Sequence, residues 1–78
     1  MKKKKTPPGE KLMQARARVG LSQADLAGKS GVPVGTIRNI EQGLRTDPHV
    51  STALALAAAM GTTVEKIWGP FFYRDLTG

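Results

Sequence analysis

The sequence predicts an all-α protein, and three observations support that prediction. Apolar residues recur every three or four positions over most of the 78 residues. A glycine or proline follows most of these periodic segments, which indicates a series of short helices joined by tight turns. No segment alternates with a period of two, and the short loops leave no room for a sheet. We therefore expect one small domain of five helices, without internal repeats or a second domain.

The first two helices have recognisable start and stop signals. Helix 1 is predicted from about Gly9 to Val19, with Gly20 as its stop. Its residues available for burial are Leu12, Met13, Ala15 and Val19. Helix 2 begins with the capping-box pattern Ser22-x-x-Asp25 and ends at Gly31, because glycine tolerates the left-handed backbone of a sharp turn.

Helix 3 follows the turn at Gly31 and stops at Gly43. Three apolar residues can face inward: Val32, Ile37 and Ile40. The residues that face mainly outward are Val34, Gly35, Thr36, Arg38 and Asn39. Two short helices joined at a glycine, the second with a polar outer face, are the layout of a helix-turn-helix, and such a face can enter a DNA major groove.

Two further helices complete the domain. Asp47-Pro48 resembles a cap followed by a first-turn proline, and helix 4 is predicted over roughly Val50 to Met60. Its alanines allow neighbouring helices to approach closely, and the larger side chains expected to fill the space between the helices are Leu54, Leu56 and Met60. Thr62-x-x-Glu65 is interpreted as a second capping box that opens helix 5, which runs through Trp68 before Gly69-Pro70.

Charge is unevenly distributed along the chain. The formal net charge is +6, and residues 1–18 hold seven basic residues against one acidic residue, whereas residues 19–78 are neutral overall. We expect residues 1–8 to form a flexible basic arm, since Lys2, Lys3, Lys4 and Lys5 precede Thr-Pro-Pro and offer no apolar area to bury. The arm is either a solubilising leader or a segment that neutralises DNA phosphates.

Several classes of function are disfavoured by composition. Without cysteine there is no disulfide framework or thiolate metal site, and one histidine with scattered carboxylates gives no nucleophile-base pair. Gly28-Lys29-Ser30 resembles the end of a phosphate-binding loop. That loop also requires a glycine five residues before Gly28, and this position is occupied by Gln23. No apolar run is long enough to span a membrane. We expect no enzymatic activity, no cofactor, no metal and a cytoplasmic, nucleoid-associated location.

The motif residues have a specific joint spacing. They are Gly20-Leu-Ser-Gln23, Leu26-Ala27, Gly31-Val32, Ile37, Ile40-Glu41 and Gly43. This pattern resembles the signature of the phage-repressor and Cro-like helix-turn-helix family, often called the XRE family. The resemblance covers residues 9–68 and implies a compact five-helix domain like that of lambda repressor, with the helix-turn-helix at helices 2 and 3. We expect residues 9–69 to be this DNA-binding domain.

The resemblance also implies roles for individual residues. Base contacts fall on Val34, Gly35, Thr36 and Asn39, and Arg38 is able to contact either a base or a phosphate. Gln23 at the start of helix 2 is expected to hold a DNA phosphate, and so are Arg45 and the lysines of the arm, whereas His49 is either a phosphate contact or an exposed loop residue. Pro33 stands where the family usually has a serine or threonine cap. Arg16 and Glu41 occupy the places of a buried structural ion pair.

The C-terminal aromatic residues have two interpretations. Residues 70–78 are predicted to form an aromatic tail, and all four aromatic residues of the chain lie within six positions: Trp68, Phe71, Phe72 and Tyr73. This aromatic cluster is either the lid of a small core or a surface covered by a second copy of the chain. Because the equivalent helix of related repressors forms a dimer contact, we expect a homodimer interface. Its predicted residues are Ile67, Trp68, Phe71 and Phe72.

The expected function is therefore a sequence-specific regulator of transcription. It would bind double-stranded DNA as a homodimer on a pseudo-palindromic operator, most often as a repressor. An antitoxin that covers a toxin protein as well as binding its operator is the alternative. A third possibility is an adaptor that uses the domain without recognising base sequence.

Overall fold

Five α-helices make up the fold in the computed structural model, which describes residues 7–45 and 48–69. They are α1 (Pro8–Arg18), α2 (Gln23–Ser30), α3 (Val34–Glu41), α4 (Val50–Met60) and α5 (Val64–Trp68). There is no strand in these two stretches, so the predicted all-α class is confirmed. None of the five helices is long and apolar enough to cross a membrane.

The start of α1 packs unusually closely against the end of α3. The helix begins at Pro8, one residue before the predicted start, since a proline is tolerated in a first helical turn. Gly9 is buried, and a Cβ atom added to it would clash with the backbone carbonyl oxygen of Ile40. Only glycine fits between the two backbones, and no local sequence signal predicts this constraint.

The turn between α2 and α3 is held by local hydrogen bonds. At the start of α2, the Asp25 amide donates to Ser22 Oγ and the Ser22 amide donates to Asp25 Oδ2, which confirms the predicted capping box. The bond from the Ser22 amide lowers the pKa of the Asp25 carboxyl below its ordinary value. At the other end, Gly31 has a left-handed backbone with φ of 77°, and the Val32 amide donates to Ser30 Oγ.

The core lies between all five helices. Among the described residues, its main cluster contains eight that are buried: Leu12, Leu26, Val32, Ile37, Ile40, Leu56, Met60 and Ile67. A smaller cluster of Ala53, Ala57 and Val64 joins α4 to α5, and Trp68 packs against both clusters. The inward face predicted for the helix-turn-helix is therefore confirmed.

Three residues predicted to be available for burial are instead exposed: Met13, Val19 and Leu54. Val19 caps the C-terminus of α1 and lies outside the helix. Leu54 follows Ala53, which belongs to the buried stripe of α4, so it is rotated by about 100° away from the core. Met13 is displaced in the same way from the fully buried Leu12.

The caps of α4 and α5 differ from those predicted. The N-cap of α5 is Thr63, whose Oγ1 accepts from the Lys66 amide, so the capping box assigned to Thr62 and Glu65 was wrong by one residue. Pro48 is not in the first turn of α4, because the helix begins at Val50 after His49. Pro48 is buried instead, while Asp47 lies outside the described residues.

We expect Gly9→Ala to destabilise the domain by about 1 to 3 kcal/mol, because the added methyl group meets backbone that a side-chain rotation cannot move. Gly28→Ala is the matched control, since a Cβ atom there has no neighbour within 4 Å and alanine favours a helix. Chemical denaturation of both variants measures the difference. Equal stability of the two variants would contradict the close approach of α1 and α3.

Candidate functional site

Arg16 and Glu41 form a hydrogen-bonded ion pair between α1 and α3. The guanidinium donates from Nε to Glu41 Oε2 at 2.7 Å and from Nη2 to Oε1 at 3.0 Å. Its third bond, from Nη1, reaches the carbonyl oxygen of Leu21 at 2.9 Å, in the turn before α2. The side chain of Glu41 is 2% exposed, and its hydrogen bond raises the pKa of the Arg16 guanidinium above the ordinary value. The structure thus brings this predicted pair together.

Gln23, the first residue of α2, joins the same network. Its Nε2 atom donates to Glu41 Oε1 at 2.9 Å. This bond fixes which end of the amide faces the protein, and leaves the side chain half-buried where the first backbone N–H groups of α2 lack intrahelical partners. No sequence signal links residues 18 positions apart on different helices, so the contact was not predicted.

The outer face of α3 remains accessible. Arg38 and Asn39 are exposed, and Val34, Gly35 and Thr36 are half-buried. Gly35, Arg38 and Asn39 lie on the side of the helix opposite the buried Ile37 and Ile40. Val34 and Thr36 lie at the two edges of that face, one helical turn from Ile37 and Ile40 respectively. At Gly35 nothing lies within 4 Å of the position of a Cβ atom, so the first turn of α3 has open space in front of it.

The start of α3 lacks a side-chain cap. Pro33 is the N-cap residue and offers only its carbonyl oxygen, which accepts from the amides of Thr36 and Ile37. The helix ends at Glu41, and Gly43 follows in a left-handed conformation, so that the Leu44 amide donates to the carbonyl oxygen of Asn39. The short helix is therefore held in place by packing and by its C-terminal turn more than by its own start signal.

The remaining predicted site residues are placed as follows. Arg45 and His49 are exposed in the connection between α3 and α4. Trp68 is half-buried, whereas Ile67 is 2% exposed and belongs to the core, so its contribution to any interface is small. The four arm lysines and the two phenylalanines lie outside the described residues. Within residues 7–45 and 48–69, no group of histidine, aspartate and glutamate side chains could hold a metal ion.

Comparisons with known proteins agree with this arrangement. A helix-turn-helix family profile matches residues 12–67. The chain is 42% identical over 65 residues to an uncharacterized HTH-type transcriptional regulator of Methanocaldococcus jannaschii, covering 83% of this chain and 92% of that protein. It is 36% identical over 69 residues to the HTH-type transcriptional regulator DdrOP3 of Deinococcus deserti, covering 87% of this chain and 53% of that protein. The chain thus spans about half the length of the Deinococcus protein.

We expect Arg16→Ala to lower the free energy of unfolding by about 3 to 5 kcal/mol, because it leaves the carboxylate of Glu41 buried without its cationic partner. Arg18→Ala is the matched control on the same helix, and its exposed side chain predicts a change within about 0.5 kcal/mol. Thermal and denaturant unfolding of both variants provide the measurement. A wild-type melting curve for Arg16→Ala would show that the pair is dispensable.

Proposed function

This chain belongs to the XRE family of helix-turn-helix proteins, and we propose that it is a sequence-specific regulator of transcription that binds double-stranded DNA. We propose further that it acts as a repressor and as a homodimer, with the two α3 helices entering successive major grooves of a pseudo-palindromic operator. The observation that most supports this proposal is the accessible face of α3, held by a helix pair whose inner faces are buried.

The chemistry of that face suits the major groove. Arg38 can donate two hydrogen bonds to guanine O6 and N7, and Asn39 can pair with adenine N6 and N7. Both side chains are exposed and so are able to reach base edges without refolding. Val34 offers an apolar contact for a thymine methyl group, and the open space at Gly35 lets the backbone come close to the DNA.

Phosphate contacts would fix the position of α3 on the duplex. The N-terminus of α2 attracts an anion through its unpaired N–H groups and its helix dipole. The Gln23 amide has two N–H groups, one of which faces Glu41, so the bond to Glu41 holds the other in a defined direction at this helix end. We propose that Gln23, Arg45 and the arm lysines Lys2 to Lys5 contact phosphates, with the segment before α1 following the DNA backbone.

The proposed dimer contact lies at the C-terminal end of the domain. Trp68 packs against the core while remaining half-buried, so part of its ring is available to a second copy. The core position of Ile67 leaves the neighbouring Phe71 and Phe72 as the larger apolar contribution to such an interface. Two copies related by a twofold axis would match the symmetry of a palindromic site.

Selection of binding sites from a random duplex library tests base recognition. The wild-type chain should enrich a pseudo-palindrome, and Arg38→Ala should relax the selection at one base pair of each half-site, by about 1 to 3 kcal/mol. Lys29→Ala removes an exposed cation of α2 and should leave the selected sequence unchanged. A library recovered without any enriched sequence would contradict sequence-specific binding by this chain.

Sedimentation of the full chain tests the dimer. At tens of micromolar the wild type should sediment as a dimer, because burial of the aromatic tail removes apolar surface from water. Replacing Phe71 and Phe72 by serine should weaken association at least about tenfold. Leu54→Ser, at an exposed apolar position of α4, is the control and should not change association. A monomer at this concentration, with and without operator DNA, would rule out the proposed interface.

A further inference from the structure

A second polar site lies between α1 and α5. A pocket of about 230 Å³ opens there, lined by Lys11, Gln14 and Arg18 of α1 and by Thr62 and Lys66 beside and within α5. The α1 residues recur at spacings of three and four positions, so they share one face of the helix. Ile67 contributes an apolar wall at the edge of the core.

The pocket concentrates positive charge without compensation. Among the described residues that line it, three are cations and none is a carboxylate. Within the described residues, the only ion pair joins Arg16 to Glu41, so neither lysine nor Arg18 has a carboxylate within 4.0 Å there. Like charges brought together in this way repel one another unless an anion is bound between them. A pocket lined by three cations is therefore favourable for an anionic ligand.

The donors of the pocket match a phosphate group. Each lysine offers three N–H donors, the guanidinium of Arg18 offers a planar fork, and the amide of Gln14 and the hydroxyl of Thr62 can donate as well. We propose that this pocket binds a small free phosphate-bearing anion, either inorganic phosphate or a phosphate monoester. Such a ligand would bridge α1 and α5 and add stability to the folded chain.

The position of the pocket favours a free anion over a DNA phosphate. Gly9 and Arg16 mark the face of α1 that contacts α3. Arg18 follows Arg16 by two residues and therefore lies roughly 200° around the helix axis. A duplex held by α3 and by the start of α2 is consequently on the other side of α1, and the proposal does not depend on the proposed DNA-binding function.

Titration of the full chain with inorganic phosphate tests the site. Sodium phosphate replaces sodium chloride at fixed pH and ionic strength, and two-dimensional NMR follows the amide signals while a parallel series measures the melting temperature. We expect saturable shifts centred on the pocket residues and a melting temperature that rises with phosphate. Lys11→Gln and Lys66→Gln should each weaken phosphate binding roughly tenfold.

Two controls separate this site from non-specific charge effects. Lys29→Gln removes an exposed cation from α2 and should leave phosphate affinity unchanged. In chloride alone at low ionic strength, Lys66→Gln should melt no lower than the wild type, because it relieves repulsion in the empty pocket. Linear shifts that never saturate, or equal weakening by Lys29→Gln, would overturn the proposal.

A parallel experiment with duplex DNA distinguishes a free phosphate from a phosphate of the DNA backbone. Lys11→Gln and Lys66→Gln should bind duplex DNA within about twofold of the wild type, and the duplex should not displace inorganic phosphate from the pocket. Competition between the duplex and phosphate would assign the pocket to the DNA backbone and overturn binding of a free anion. Loss of DNA binding by Arg38→Ala bears only on the α3 face, so the two proposals fail separately.

Discussion

The bond between Arg16 and Glu41 sets the geometry of the helix-turn-helix from inside the protein. One guanidinium holds the carboxylate at the end of α3 and the carbonyl oxygen of Leu21 before α2, so both helices are fixed relative to α1. The carboxylate accepts three donated hydrogen bonds, two from Arg16 and one from Gln23, which compensates for its removal from water. A displacement of either helix would break these bonds while the carboxylate stayed buried, and this cost keeps the exposed face of α3 and the start of α2 in one arrangement.

Packing provides what the short helices lack individually. An eight-residue helix such as α3 is marginal in isolation, and Pro33 gives it no side-chain cap. Its stability comes from Ile37 and Ile40 in the core and from the close approach of α1 at Gly9. Because these constraints act on the inner face and on the C-terminal end of α3, its outer residues contribute little to the stability of the fold. That separation leaves a protein of this kind free to vary the residues of the outer face without unfolding.

The sequence predicted the parts of the fold that depend on local signals. The apolar periodicity around Leu26 and Ile37 and the capping box of Ser22 can each be recognised within the sequence of a single helix, and the structure has them as expected. Prediction failed where two elements meet. Gly9 is indistinguishable in sequence from an ordinary helix start, yet backbone of α3 surrounds it. Similarly, the bond from Gln23 to Glu41 spans 18 residues, and the exposure of Leu54 follows from which face of α4 meets α2 and α5. Only the resemblance to a known family anticipated a long-range contact, the pair of Arg16 and Glu41.

The residues that give the chain its formal charge of +6 are distributed over several surfaces of the protein and are not concentrated on one. The charge of Arg16 is compensated by Glu41, and the cations around the pocket lie on the side of α1 away from α3. Along α2, α3 and the connection to α4, the exposed cations in the described residues are Lys29, Arg38 and Arg45, a small number for holding a polyanion. Since affinity for duplex DNA depends strongly on the number of phosphates neutralised, a face with so few cations needs either the basic N-terminal arm or a second copy of the chain. The basic arm and the second copy are both part of the proposed function, and the small number of exposed cations near α3 is the physical reason for proposing them.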